Sequence, residues 1–328
     1  GHSVVGLDSV NEYYRTDLKE ARLVMIEDAA RKASSNGGTG EKRWTFYRGF
    51  LEDAALVERV FSENSIDRVI HLAAQAGVRY SITNPRAYSA SNLDGFLNIL
   101  EACRAHKTPH LAYASSSSVY GMNRKVPFAE TDPVDNPVSL YAATKRANEL
   151  MAHTYSHLYG LPVTGMRFFT VYGPMGRPDM AYFKFADAIM RGETIDVYNQ
   201  GDLLRDFTYV DDVVKAVTLI ADRPARSDPS FDPEKPELDR SSAPYRIYNI
   251  GNQNPERLEV FISTIERLLG KEAKKNYLPM QAGDVYMTSA DTSALERDFG
   301  WKPSTPLETG LKHFTDWYKE SKPWQRSL

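Results

Sequence analysis

Residues 110–121 read HLAYASSSSVYG and join a short apolar segment to a run of four serines. The apolar part, residues 110–114, has the length and composition of a buried β-strand. In open parallel sheets, ligands bind beyond the carboxyl ends of the strands. The stretch therefore predicts a strand whose carboxyl end presents hydroxyl groups to a ligand.

A short apolar segment followed by a longer amphipathic one recurs through the first two thirds of the chain. The segments predicted as strands are residues 3–7, 44–47, 68–72, 110–114 and 163–167. The segments predicted as helices are residues 16–31, 53–64, 92–106 and 142–159. This alternation is typical of an α/β fold with a doubly wound parallel sheet, in which helices cover both faces.

The amino-acid composition argues against several classes of function. The 328 residues carry 40 Lys and Arg against 43 Asp and Glu, a formal net charge of -3. With no basic arm or stripe, nothing indicates a nucleic-acid partner. No apolar run approaches the ~20 residues of a membrane span, and the single cysteine, Cys103, cannot form an internal disulfide. We therefore expect a small-molecule partner, no membrane segment and a cytoplasmic location.

Tyr141 and Lys145 stand four residues apart at the start of a predicted helix, twenty residues beyond Gly121. This spacing places the phenol and the ammonium on one helical face. A nearby cation stabilises phenolate and lowers the pKa of a tyrosine, which is ordinarily near 10. The pair could therefore exchange a proton with a substrate hydroxyl, whereas the alternative is an aromatic anchor beside a solvated lysine.

Asp8 follows the first predicted strand. A carboxylate at such a strand end can accept hydrogen bonds from the ribose hydroxyls of NAD, although an Asp after a strand is more often a turn residue or helix cap. The Gly-rich phosphate loop that accompanies such an acid lies roughly 20 residues earlier in dinucleotide-binding folds. We therefore expect that loop and a first strand to precede Gly1 and to be absent from this sequence.

After residue 170 the alternation of predicted strands and helices becomes less regular, and Pro, Gly and aromatic residues separate shorter elements. We expect an NAD-binding domain at residues 1–170 and a smaller, mainly substrate-binding domain at residues 171–328, with some segments returning to the first domain. Residues 33–42 and 222–244 are predicted to be surface loops.

Several longer motifs resemble those of the extended short-chain dehydrogenase/reductase superfamily, and within it the UDP-glucuronate 4-epimerases. They are HLAAQAGVRYS (residues 71–81), RFFTVYGP (167–174), GRPDMA (176–181), SAPYR (242–246) and LPMQAGDV (278–285). The resemblance covers nearly the whole chain and implies a Rossmann-type domain with NAD as cofactor. It also implies epimerisation of UDP-glucuronate to UDP-galacturonate through a 4-keto sugar, no metal, and a homodimer.

The resemblance also implies roles for individual residues. Tyr141 would be the catalytic base, Lys145 would hold the nicotinamide ribose, and Ser116 would bind the reacting hydroxyl. The residues implied around NAD are Asp8, Asn11, Leu72, Ala73, Ala74, Asn92, Tyr141 and Lys145. The residues implied around the nucleotide sugar are Arg79, Ser117, Ser118, Thr170, Arg177, Val197, Arg205 and Asp284. Arg205 would meet the diphosphate, but it could instead pair with Asp206 on the surface.

Three other functions remain open. A 4-epimerase of neutral UDP-hexoses would use the same serine, tyrosine and lysine. A decarboxylase or 4,6-dehydratase would normally carry acidic residues where this chain has Ser116, Ser117 and Ser118. A non-catalytic NAD-sensing protein would not need an intact Tyr141 and Lys145.

Overall fold

Strands and helices alternate in the computed structural model, which describes residues 2–36, 43–280 and 285–321. The strands within these ranges are β1 (Val4–Asp8), β2 (Trp44–Arg48), β3 (Val69–His71), β4 (Leu111–Ser116), β5 (Val163–Phe168), β6 (Thr170–Tyr172), β7 (Thr194–Tyr198), β8 (Leu204–Tyr209), β9 (Tyr245–Ile250), β10 (Pro255–Arg257) and β11 (Lys274–Leu278). The helices are α1 (Thr16–Asn36), α2 (Ala54–Glu63), α3 (Tyr80–Thr83), α4 (Pro85–Tyr88), α5 (Gly95–Ala105), α6 (Leu140–Tyr159), α7 (Ala181–Arg191), α8 (Val210–Ala221), α9 (Leu258–Leu269), α10 (Ser293–Phe299) and α11 (Leu307–Ser321).

The central sheet is parallel and has the strand order β3-β4-β5-β9. Side chains of β4 alternate between two apolar layers, as the pleat of a strand requires. Leu111 and Tyr113 pack with residues of α2, α5 and α6, whereas Ala112 packs with residues of α8 and α10. Helices therefore cover both faces of a buried parallel sheet, and the predicted α/β class is confirmed.

β1 and β2 form a separate parallel pair. Among the described residues, β1 hydrogen-bonds to β2 but not to β3, and β3 hydrogen-bonds to β4. Apolar side chains of β1 and β3 are partly exposed to solvent. Val4 on β1 is 50% exposed, and Ile70 on β3 is 44% exposed. That a further strand and a Gly-rich loop precede Gly1 stays a prediction.

A second apolar core lies in the C-terminal half and contains residues of α7, α9 and α11. It packs on two small sheets, one with the order β10-β8-β6 and one of β11 and β7. β9, although late in the sequence, pairs with β5 of the central sheet. The division at residue 170 stays a prediction.

The boundaries of the predicted elements agree with the structure to within two residues, apart from two helix boundaries. α1 continues through residue 36, where a loop over residues 33–42 was predicted, because nothing in Ala33-Ser34-Ser35-Asn36 breaks a helix as proline would. Residues 37–42 lie outside the described ranges. A π-helical turn, Ser89–Asp94, precedes α5, so helical structure begins before the predicted residue 92. The predicted loop at residues 222–244 contains no helix or strand.

None of the helices in the described part of the chain is both long enough and apolar enough to cross a membrane.

Asp206 on β8 ties together three segments of the C-terminal half. It is fully buried, and its carboxylate accepts hydrogen bonds from the backbone N–H groups of Asn252 (2.7 Å), Gln253 (3.0 Å) and Ala290 (2.9 Å). The suggested surface pair between Arg205 and Asp206 is therefore wrong, because backbone donors surround this carboxylate inside the protein.

We expect Asp206→Ala to lower the free energy of unfolding by about 3 kcal/mol or more, because it leaves three backbone N–H groups without their acceptor. The urea midpoint, followed by circular dichroism, measures this loss. Asp202→Ala is the matched control: Asp202 is half exposed and pairs with exposed Arg257, so its loss should cost at most about 1 kcal/mol. Equal midpoints for the two variants would contradict this role of Asp206.

Candidate active site

A cavity of about 1950 Å³ lies along the carboxyl ends of β1, β3, β4 and β6 and is bordered by residues of the C-terminal half. Most of the residues singled out in the sequence line it: Asp8, Asn11, Leu72, Ala73, Ala74, Arg79, Ser116, Ser117, Ser118, Tyr141, Lys145, Thr170, Arg177 and Arg205. The serine-rich strand end thus faces a ligand-sized space, and that it binds a ligand stays a prediction.

The Tyr141 and Lys145 side chains are positioned by the start of α6. The Ser139 side chain caps this helix by accepting a backbone N–H at 3.1 Å, which places Tyr141 in the first turn. One turn later, Lys145 Nζ donates to the carbonyl oxygen of Ala114 on β4 at 2.8 Å. The Ser116 side chain, which donates to the Ser118 hydroxyl at 3.1 Å, lies near enough to Tyr141 to lower the pKa of the phenol. The strand end and the helix start therefore bring these groups together.

Burial opposes charge on both members of this pair. Desolvation raises the pKa of Tyr141, while the Ser116 side chain and the positive charge of Arg177 lower it. Desolvation lowers the pKa of Lys145 to about 8, and the negative charge of Glu149 raises it. Burial therefore favours the neutral forms of both the Tyr141 phenol and the Lys145 amine. That Lys145 activates Tyr141 stays a prediction.

At the other end of the cavity, Asp8 lies at the carboxyl end of β1. Its Oδ1 accepts from the Val10 backbone N–H at 2.7 Å, which forms a tight turn. Asn11 follows, and Lys19 Nζ donates to the Asn11 side-chain oxygen at 2.9 Å. This segment presents a carboxylate, an amide and a lysine close together.

Asn92 and Val197 do not line the cavity, although both were implied as ligand contacts. The Asn92 side chain is buried and hydrogen-bonds to the backbone N–H and carbonyl of Gln75 and to the Thr144 hydroxyl. It therefore fixes the loop after β3 from behind. The Val197 side chain is fully buried in the C-terminal core. Asp284 lies outside the described residues.

Cationic side chains border the end of the cavity near the serines. The Arg79 guanidinium lies 5.0 Å from the centre of the Tyr198 ring. Arg205 Nη1 donates to the backbone carbonyls of Leu204 and Tyr286. Arg79, Arg177 and Arg205 all line the cavity and supply guanidinium groups that can bind an anionic ligand.

Arg177 is held by a carboxylate that the sequence did not point to. Its Nε and Nη2 atoms donate to the two oxygens of Asp179, each at 3.0 Å. Asp179 also accepts from the Tyr13 hydroxyl at 3.2 Å. Arg22 on α1 donates to the carbonyl oxygen of Met175, in the same loop, at 2.5 Å. The loop that carries Arg177 is therefore bound to the segment that follows Asp8.

The motif resemblance is supported by comparison with known proteins. Residues 1–251 match the model of the NAD dependent epimerase/dehydratase family. The chain belongs to this family. It is therefore an NAD-dependent enzyme of the nucleotide-sugar epimerase group.

Two sequence relatives and one crystal structure illustrate the similarity within the epimerase/dehydratase family. Protein CapI of Staphylococcus aureus is 52% identical over 98% of this chain and 92% of that protein. UDP-glucuronate 4-epimerase 1 of Arabidopsis thaliana is 47% identical over 97% of this chain and 71% of that protein. UDP-glucuronic acid 4-epimerase from Bacillus cereus, in complex with UDP-glucuronic acid and NAD, superimposes with a TM-score of 0.81 at 28% identity, covering 98% of this chain and 91% of that one.

The residues in the cavity fit the cofactor of the epimerase/dehydratase family. Asp8 supplies a carboxylate acceptor for ribose hydroxyls at the end of a parallel strand. The small side chains of Ala73 and Ala74 leave room at the end of β3, and Lys145 supplies an ammonium donor next to Tyr141. NAD, when bound, supplies hydride transfer.

One of the site residues that the sequence analysis did not predict could have been found from a local sequence pattern. The four-residue spacing of Tyr141 and Lys145 continues to Glu149, which is fully buried and raises the pKa of Lys145. No local pattern indicates Tyr13 or Asp179, because their hydrogen bond joins residues 166 positions apart.

We expect Tyr141→Phe to lower the turnover of a nucleotide sugar by at least ~100-fold, because it removes a general base and keeps the ring. Ser116→Ala should lose less, since one hydrogen bond to the reacting oxygen is one of several supports. Steady-state kinetics measure both, and circular dichroism checks that the variants fold. Near-native turnover by Tyr141→Phe would overturn the assignment of the base.

Proposed function

We propose that this nucleotide-sugar 4-epimerase converts UDP-glucuronate and UDP-galacturonate into each other through a 4-keto sugar. Tyr141 takes the proton of the 4-hydroxyl, and Ser116 hydrogen-bonds to the same oxygen. When the keto sugar is reduced on its opposite face, Tyr141 returns the proton. The reaction is thus a change of configuration with no net oxidation.

The observation that carries this proposal is the charge of Arg177 beside Tyr141. Arg177 and Tyr141 line the same cavity, and the positive charge of Arg177 acts on Tyr141, whose pKa it lowers. In a uronic acid, C4 is bonded to C5, which bears the carboxylate. A sugar whose 4-hydroxyl reaches Tyr141 therefore brings its carboxylate near this guanidinium. The names of similar proteins agree with this substrate.

Other cavity residues bind the remaining parts of the ligands in this proposal. Hydroxyls of Ser117, Ser118 and Thr170 contact the carboxylate, and Arg205 meets the diphosphate, for which a forked guanidinium is well suited. Arg79, Val197 and Asp284 belong to the proposed substrate set, with Val197 limited to backbone contact by its buried side chain. Around NAD we place Asp8, Asn11, Leu72, Ala73, Ala74 and Lys145, with Asn92 supporting the loop after β3.

The carboxylate of the sugar makes an unwanted decarboxylation possible, and these contacts prevent it. A 4-keto uronate is a β-keto acid, and it loses CO₂ when the bond to the carboxylate carbon aligns with the carbonyl π system. We propose that Arg177 and the nearby hydroxyls hold the carboxylate away from that alignment. This explains why an epimerase of uronates needs a cation at this point.

A 4-epimerase of neutral UDP-hexoses is the second candidate, and the ion pair of Arg177 with Asp179 favours it. A guanidinium already neutralised by an internal carboxylate also tolerates an uncharged sugar. Against it, the contacts with Asp179 use Nε and Nη2 and leave Nη1 with no hydrogen bond among the described residues. Those two N–H groups can meet a second carboxylate.

We expect Arg177→Ala to lower kcat/KM for UDP-glucuronate roughly 10- to 100-fold more than for UDP-glucose, because it removes a charge-assisted contact with the carboxylate. The variant should also release some UDP-pentose from UDP-glucuronate. Kinetics with both substrates and analysis of the products measure these effects.

Arg205→Ala is the matched control for Arg177→Ala. Its proposed partner is the diphosphate, which both substrates share, so it should weaken both equally. If Arg177→Ala also weakens both substrates equally and releases no UDP-pentose, Arg177 is not the carboxylate contact. A wild-type preference for UDP-glucose would favour the second candidate.

We also propose a cytoplasmic homodimer that associates through the outer surfaces of α5 and α6. Five large apolar side chains on these helices are at least 41% exposed, namely Leu97, Leu140, Leu150, Leu158 and Tyr159. Such a patch on packed helices is typical of a protein contact.

Sedimentation velocity of the wild-type protein should give a particle of twice the 37.0 kDa chain mass. Leu150→Lys should shift the particle toward the monomer, because it places a charge in the apolar contact. Val214→Lys is the control, since Val214 is equally exposed on α8. A monomeric wild-type protein would contradict the proposed dimer.

A further inference from the structure

An ion pair lies in the interior behind the Tyr141 side chain. Glu149 on α6 and Arg167 on β5 are both fully buried, and Nε and Nη2 of Arg167 donate to the two carboxylate oxygens at 2.9 Å each. Arg167 Nη1 donates to the Tyr120 hydroxyl and to the Glu130 carbonyl, each at 3.1 Å. The guanidinium is therefore held on every side.

Glu149 also belongs to a series of contacts between β4 and α6. Three successive residues of β4 contact three α6 residues spaced four apart. The Ala114 carbonyl accepts from Lys145 at 2.8 Å, and the Ser115 hydroxyl donates to Glu149 at 2.6 Å. The Ser116 side chain lies near enough to Tyr141 to lower the pKa of the phenol. Glu149 is thus the inner end of the series whose outer end is the proposed base.

We propose that Glu149 is a positioning residue of the reaction, whose buried carboxylate keeps Lys145 charged and fixes α6 on β4. Lys145 is only 2% exposed, so water does little to stabilise its charge. Glu149 is the acidic group that raises the pKa of Lys145 against desolvation. The ammonium can support phenolate at Tyr141 only while it keeps its proton. Glu149 therefore acts on Tyr141 through Lys145.

The ionisable groups that face Glu149 come from four elements. On α6 these are Lys145 and Arg146, whose Nη1 lies 3.1 Å from the carboxylate. From the sheet they are Tyr113 on β4, Arg167 on β5 and Tyr245 on β9. Burial raises the pKa of both tyrosines, so they stay neutral up to pH 9. Burial raises the pKa of Glu149, but the positive charges of Arg167 and Arg146, with hydrogen bonds from Arg167 and Ser115, outweigh it and hold the pKa below its ordinary value.

Two more groups complete the surroundings. His71 on β3 faces Lys145, and burial together with the lysine charge lowers the pKa of His71 to about 3. Glu130 lies beyond Arg167, and burial raises its pKa to about 7. Among the groups named here, burial brings the pKa values of Lys145 and Glu130 nearest to neutrality, at about 8 and about 7.

The test replaces the carboxylate of Glu149 by an amide in the holoenzyme. We expect Glu149→Gln to lower the pKa of Lys145 by about one unit, a tenfold change in its proton affinity. The alkaline limb of kcat/KM against pH, where Lys145 loses its proton, should move to lower pH by the same amount. ¹³C NMR of protein labelled at lysine Cε, with the Lys145 signal assigned by its loss in Lys145→Met, measures the pKa without reference to activity.

Two variants distinguish the effect of the Glu149 charge from the effect of changing its side-chain shape. Glu149→Asp keeps the carboxylate and should restore the wild-type limb even if kcat falls. Glu130→Gln is the matched control, because it removes another buried carboxylate of this region. The Glu130 side chain forms no hydrogen bond with Arg167. This variant should leave the pKa of Lys145 unchanged. A wild-type Lys145 pKa and alkaline limb in Glu149→Gln would overturn the proposal, whatever happens to the rate.

If Glu149→Gln does not fold, the double variant Glu149→Leu with Arg167→Met replaces both buried charges by apolar groups of similar size, a change that buried ion pairs often tolerate. It should show the same lowered Lys145 pKa, and an unchanged value would overturn the proposal. The inference rests on the proposed roles of Tyr141 and Lys145, but not on the uronate. The pH profile is taken with whichever UDP-sugar is converted, so failure of the substrate assignment is seen separately.

Discussion

The structure depends on keeping a positive charge inside the protein at Lys145. An ammonium that is 2% exposed is costly unless it is hydrogen-bonded and paired with an opposite charge. The Ala114 carbonyl supplies the hydrogen bond, and Glu149 supplies the negative charge. Lys145 binds the Ala114 carbonyl of β4, and Glu149 accepts from Ser115 of β4, so these two contacts fix α6 on β4 in one register and with it the position of Tyr141.

The two ends of the cavity are mechanically linked. Tyr13 and Arg22 belong to the segment after Asp8, yet they contact Asp179 and Met175 in the loop that carries Arg177. These contacts therefore couple the conformation of the segment around Asp8 to that of the loop that carries Arg177. The geometry gives the two proposed binding regions a common support.

Local patterns in the sequence predicted much of this arrangement. The apolar run before the serines predicted β4, and the spacing of Tyr141 and Lys145 predicted their shared helical face. Contacts between distant segments could not be predicted, because no periodicity records which residue packs on which. Asn92 hydrogen-bonds to Gln75 behind the cavity wall, and Asp206 is buried among backbone donors instead of pairing with Arg205. Both outcomes depend on tertiary packing.

Product analysis with labelled UDP-glucuronate tests the central claim most directly. The wild-type enzyme is incubated with UDP-glucuronate that carries deuterium at C4, and the nucleotide sugars are identified by NMR. The account predicts UDP-galacturonate that keeps its deuterium at C4, because the same hydrogen is removed and returned within the closed site. Loss of the deuterium to solvent, formation of a UDP-pentose as the main product, or turnover of UDP-glucose alone would contradict it.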